Sequence, residues 1–591
     1  MCRRFVTKKK RTILEFPARP PRLVAMALLV LLLPAACASD SLDIESSKDK
    51  TGDQVSGGTS VSGNYLAGRH AQAVSDTSGA ALYLGNALEI SPGTQSLLQR
   101  TFLMMASEGR IGKAAHLAHK VLAQNSKAPI ANLTVVVEDI HAGRFDGAMK
   151  KITALPAGVL NGYMAPLLAA WTSIAQGKTL EDAIAHLSPL KKEGSKPLYY
   201  LHKAMLLDFT GDHAGAVEAY LLGIKEQGGI ILRVAQLLGN LYERKGDIDK
   251  AKALYMRFAQ ANPSSPLARQ ALRLLDSGAT AKPIIATAGQ GAAESFFGIA
   301  TSLSQQNAKE TALIFARLGL YLHSDFPVMQ ILLGNLLQLN GQLEEANVVF
   351  LAIDVSSAYS WPARLRAAEN LDDLERTDEA AKTLNAMAKE EPDLADPLIR
   401  LGDILRARER FVEAGSAYDR AFKRIGTLQS HHWTLLYARG IVLERTKQWD
   451  RAEADFLKAL EFKPDQPFVL NYLGYSWVDQ GLHLDRAKGM IQKAVDLRPN
   501  DGYIVDSLGW AYFRLGEFAN SVKEMERAVE LKPEDPVLND HLGDALWRVG
   551  RKLEARYQWQ RVLVLEPEDD LRVQIAEKLA DGLPDVPAKT N

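Results

Sequence analysis

The chain has 591 residues, 47% of them hydrophobic and 24% charged, the composition of an ordinary folded protein and not of a low-complexity one. Its 70 lysines and arginines balance 70 aspartates and glutamates, so no basic excess drives nucleic-acid binding. Cys2 and Cys37 are the only cysteines, which excludes a disulfide framework or a cysteine metal site in the body of the chain.

In chain order, residues 1–36 read as an export signal. Arg3, Arg4, Lys8, Lys9, Lys10 and Arg11 precede an apolar run, Leu23–Leu33, which ends at Pro34-Ala35-Ala36-Cys37. The run is shorter than the roughly 20 residues that span a bilayer. A cysteine after two alanines at this place resembles a bacterial lipobox. That resemblance implies cleavage before Cys37, acylation of its thiol and new N-terminus, and anchorage of the mature protein in a membrane. An ordinary signal-peptidase cut after Ala36 or Ala38 is the alternative. No aspartate follows the cysteine directly, and in the family's terms this points to the outer membrane, facing the periplasm. Residues 37–63, rich in Ser, Gly, Asp and Thr, read as a flexible tether.

From Asn64 a helical-hairpin pattern begins and continues to 276, with its clearest unit at 232–265: Leu238-Gly239, Tyr242, Ala251, Tyr255 and Pro263. Residues 277–290 (SGATAKPIIATAGQ) read as a linker or hinge. The period resumes at Gly291 and runs to Asp569, residues 570–582 read as a capping helix, and 583–591 as a disordered tail.

The pattern is sharpest at the end. Leu473-Gly474, Leu508-Gly509 and Leu542-Gly543 place glycines 35 and then 34 residues apart. Each is followed by a small residue (Ala487, Ser521, Ala555), a large apolar one four residues later (Ile491, Met525, Trp559), and a closing proline (Pro499, Pro533, Pro567). These offsets resemble the tetratricopeptide repeat, with its period of about 34 residues. The resemblance implies an all-α superhelical solenoid of about fourteen helical hairpins, here in two segments, whose members stack to bury one apolar spine. The blocks 470–477, 505–516 and 541–550 further resemble large bacterial outer-membrane lipoproteins of this type. One group of these acts as adaptors for a periplasmic carboxyl-terminal processing protease.

In such a solenoid the first helix of each hairpin lines a concave face. Places 2, 5, 9 and 12 of the last three units put Tyr475, Tyr503, Asp506, Trp510, Phe513, Asp540, Asp544 and Trp547 on one stripe, together with Phe468, Asn471, Val478 and Val537. Aromatic anchors among polar groups are what protein interfaces use. These residues are the candidate protein-binding groove, and the aspartates argue against capture of a peptide C-terminal carboxylate. The bland alternative is that the aromatics pack between adjacent repeats.

No P-loop, HExxH, CxxC or GxSxG arrangement occurs, and His431-His432 lie side by side in sequence, poorly placed to share a metal. The expectation is therefore no catalytic residue, no cofactor, no metal and no small-molecule substrate. The expected partners are other envelope proteins: a protease and its substrates or, alternatively, machinery for polysaccharide export or cell-wall assembly.

Overall fold

The computed structural model describes residues 60–262, 271, 272, 275 and 281–584. Among the described residues there are twenty-nine α-helices and no strand. Within each of the two compact units described below, successive helices pair as antiparallel hairpins, from Val61–Ala73 with Thr77–Ile90 in the first to Pro536–Arg548 with Lys552–Val564 in the second, which helix Asp569–Asp581 closes. The architecture is the expected all-α solenoid. No helix among these residues is long and apolar enough to cross a membrane.

In several hairpins the first helix offers a glycine where the second offers a large ring. A Cβ on Gly543 would lie 2.5 Å from Nε1 of Trp559, and one on Gly440 would lie 2.5 Å from Cε1 of Phe456. The same spacing of sixteen residues recurs at Gly334 with Phe350 and at Gly402 with Tyr418. Only a hydrogen at that Cα lets the rings lie flat on the opposite backbone, and close packing of this kind leaves no slack for a methyl group.

The chain divides into two compact units, 60–375 and 376–584 in the described residues. In the first, one apolar core runs from Ala81 to Ala367. It passes straight across the segment read as a hinge. Residues 281–287 are non-helical, and Thr287 then caps helix Ala288–Gln305, its side chain accepting from the Gln290 amide while the Gln290 side chain reaches back. This helix packs on Val159–Ala175, so closely that a Cβ on Gly291 would sit 2.3 Å from the Trp171 ring. The next helix, Lys309–Leu322, lies against Gln95–Glu108 and Pro129–His141. Arg317 Nε donates to the Ser107 carbonyl at 3.2 Å, Gln342 to the Thr77 hydroxyl at 2.7 Å, and Arg233 and Glu294 form a buried ion pair. The boundary between units therefore falls at 375/376 and not at 277–290. Apolar burial between residues far apart in sequence joins what a change of composition suggested was separate.

Two other boundaries shift. Helix begins at Val61, inside the stretch read as tether, because the Ser60 hydroxyl accepts from the Gly63 amide and the Asn64 side chain donates to the Ser60 carbonyl. The closing helix is Asp569–Asp581. The signal segment, Cys37 and residues 585–591 lie outside the described residues.

In the unit 376–584 the main core runs from Leu436 to Ile575. It is stacked from four hairpins and the closing helix, and it carries the candidate stripe.

Candidate functional site

Three first helices carry the stripe: Pro467–Gln480, Gly502–Leu515 and Pro536–Arg548. Local chemistry sets where each starts. Asp501 accepts from the amides of Tyr503 and Ile504, Asp535 from those of Val537 and Leu538, and Pro467 and Pro536 occupy first-turn positions that need no donor.

The stripe does not lie open as the sequence suggests. Tyr475, Asp506, Trp510, Asp540 and Asp544 are buried. Asp506 is fully covered and pairs at 2.8 Å with His541, one repeat further on. The His541 ring stacks on Trp510 with centroids 4.5 Å apart, and Trp510 stacks on Phe513 at 4.9 Å. Asp540 and Asp544 share the ammonium of Lys578, at 2.6 and 2.8 Å, and Lys578 belongs to the closing helix. Asp544 also accepts from the Trp559 indole N–H at 3.1 Å. The carboxylates are thus joints between successive first helices. An isolated charge at these depths costs several kcal/mol, so each acid has acquired a cation or donor one repeat away.

The electrostatics follow from that burial. Burial alone would lower the His541 pKa, but the Asp506 carboxylate against it, aided by Asp540 and Asp544, raises it to about 9. Asp506 itself is pushed up, because its own burial outweighs the attraction of His541. Burial raises Asp544 too, and the like charge of Asp540 adds to it. For Lys578, burial is outweighed by its two acids and the pKa rises.

Tyr503, Phe513 and Trp547 remain half-exposed, as do Phe468 and Val537. Val478 is buried and Asn471 half-buried. The structure therefore splits the predicted set into buried connectors and a smaller exposed group.

Two features were missed at the sequence level. The partners His541 and Lys578 stand 35 and 34 residues beyond Asp506 and Asp544, and that one-repeat spacing was a usable signal. The second is an edge of stacked cations. Lys463 lies 4.9 Å over Trp433, Arg498 lies 4.7 Å over Phe468, and Lys532 lies 4.9 Å over Tyr503, one pair per repeat. Between the last two pairs is a cleft of about 440 Å³ bordered by Pro499, Asn500 and Asp501. The Tyr503 hydroxyl donates to Asp535 at 3.0 Å. The His431 and His432 rings lie 3.9 Å apart, tilted by 46°, and the His432 Nδ1 accepts from the Gln429 amide at 2.8 Å, next to helix Trp433–Arg445.

Models of the tetratricopeptide repeat match residues 232–265, 365–427, 416–467 and 506–535. These matched segments are tetratricopeptide repeats. No curated protein sequence matches it. Among solved structures, YrrB, described as a tetratricopeptide-repeat protein with an unusual peptide-binding site, is 19% identical. That match covers 33% of this chain and 99% of that one, with a TM-score of 0.27. Cut9–Hcn1, from an anaphase-promoting-complex hetero-tetramer, is 14% identical over 88% of this chain and 96% of that one, at TM-score 0.36. PilF of Pseudomonas aeruginosa is 18% identical over 31% of this chain and 83% of that one, at TM-score 0.27. At such scores nothing about function transfers from them. The repeats themselves imply a protein–protein interaction scaffold.

Proposed function

We propose that this tetratricopeptide-repeat protein is a lipid-anchored scaffold of the bacterial cell envelope, held to the outer membrane through Cys37. In this reading its C-terminal repeats dock periplasmic proteins, among them a processing protease and its substrates. The anchor rests on the sequence, where Ala35-Ala36-Cys37 ends an apolar run behind a basic one. The docking role rests on one observation above the rest. Successive repeats each leave an aromatic ring half-exposed beside a cation at the same edge: Trp433, Phe468 and Tyr503. Rings held in place by neighbouring cations are already ordered, so a partner that covers them loses little additional side-chain freedom.

Capture of envelope proteins on the full chain, compared with a Phe468→Ser, Tyr503→Ser variant, tests the docking face. Recovery of at least one defined partner should fall tenfold or more while the helical circular dichroism stays unchanged. Equal recovery from both chains would remove this edge from the reading. Mass spectrometry of the mature N-terminus tests the anchor: a diacylated, N-acylated Cys37 is expected, and an unmodified cysteine would overturn it.

A further inference from the structure

The last second helix, Lys552–Val564, carries an exposed apolar stripe on its outer side. Ala555, Trp559 and Val562 are buried against the repeat. Opposite them, Leu553 is 64% exposed, Tyr557 60% and Val564 79%. At about 100° per residue, Tyr557, Gln560 and Val564 fall within about 40° of Leu553 on the helix surface, so they form one straight stripe. The two preceding repeats supply an internal comparison. The places equivalent to Leu553, Tyr557 and Val564 hold Ala519, Lys523 and Glu530 in helix Phe518–Leu531, and Asp485, Gly489 and Asp496 in helix Leu484–Leu497. None of those six places holds a large apolar side chain, whereas all three in the final repeat do.

We infer that this stripe joins two copies of the chain across a two-fold axis, with the two Lys552–Val564 helices antiparallel. The stripe is self-complementary in that direction. Leu553 of one copy meets Val564 of the other, Tyr557 meets Gln560, and the axis passes between Gln558 and Trp559. The charges agree with the register. Glu554 and Arg561 lie on the same flank of the stripe, at about 100° and 80° from Leu553. Antiparallel pairing sets Glu554 of each copy beside Arg561 of the other, on the rim where charge selects partner and orientation. Within one chain these two side chains have only surface partners: Glu554 takes Arg551, and Arg561 reaches the Pro533 carbonyl at 3.1 Å. Such exposed contacts are weak and are readily exchanged. A parallel two-fold pair would place the Glu554 and Arg561 flanks of the two copies on opposite sides of the seam and pair none of them. Apolar side chains of this size, more than half exposed and in line, form a patch of the kind that monomers rarely leave bare.

The cysteines of the chain make the register measurable, since Cys2 and Cys37 are the only two and both can be replaced by serine. In that background the full chain is co-expressed as two tagged copies, one with Leu553→Cys and one with Val564→Cys, and oxidised. The mixture should give a disulfide-linked heterodimer at least tenfold more efficiently than either copy gives a homodimer. Addition of Tyr557→Asp to both copies should abolish it, and circular dichroism should be unchanged because Tyr557 is mostly exposed. Glu554→Arg should weaken the cross-link, and Glu554→Arg with Arg561→Glu should restore it. A mixture that does not cross-link overturns the inference. So does Leu553→Cys alone linking as well as the mixture, or a cross-link indifferent to Tyr557→Asp, which would mean another partner or a membrane covers the stripe. None of these results depends on the identity of an envelope partner.

Discussion

Asp506 and His541 show what a buried charge does in a repeat array. Each sits in its own helix with no partner inside its own hairpin, and the pair closes only when the next repeat is stacked. Because the folded state raises His541 to about 9, above its ordinary value near 6.5, its contribution to stability is complete below pH 6.5 and is lost as pH rises through about 9. The raised Asp506 acts with the same sign. Melting temperature should therefore decline between pH 7 and 10, and that step should be absent from the double variant Asp506→Asn, His541→Gln. A second test lies at Lys578. Lys578→Met leaves two buried acids without their cation and should cost about 3 kcal/mol or more, read by urea unfolding at pH 7. Asp544→Asn keeps an oxygen for Trp559 and relieves the repulsion from Asp540, so it should be neutral or stabilising under the same conditions.

At the scale of the helix, what matters is the depth at which the two members of a hairpin meet. The glycine of the first helix and the ring sixteen residues later decide it, as at Gly440 and Phe456. Alanine would be the better helix former by about 1 kcal/mol in an exposed helix. Here its methyl would require the Phe456 ring to move, and the ring is fully buried. Gly440→Ala should therefore destabilise by about 1–3 kcal/mol in thermal unfolding despite the propensity gain. Gly440→Ala with Phe456→Leu should recover part of the loss. The spacing of these pairs was legible in the residues because both members lie within one repeat. The burial of Trp510 and Tyr475 was not, since the stripe rule places them by helix angle alone, while the neighbouring repeat covers them.

In the unit 60–375, the helices Ala288–Gln305 and Lys309–Leu322 are held by helices more than a hundred residues earlier in the chain. Those contacts, and not only the chain link to Ile248–Ala261, join the two parts. A protease site placed at 277–280 of the full chain should be cut without releasing the two halves. The pieces should co-elute in gel filtration and retain the helical circular dichroism of the intact chain. Separation into two independent parts would mean that 277–290 is the joint between units after all.

The residues by themselves determined the repeat, its number and the all-α class, because those depend on contacts within one hairpin and between adjacent ones, at offsets under about 40 residues. The proposed N-terminal signal rests on the residues alone, as a matter of order along the chain. Only the tertiary structure decided where the units divide, which acids are joints and which rings remain exposed. Those outcomes depend on which distant surfaces are pressed together, and burial is a property of the neighbours, not of the residue buried.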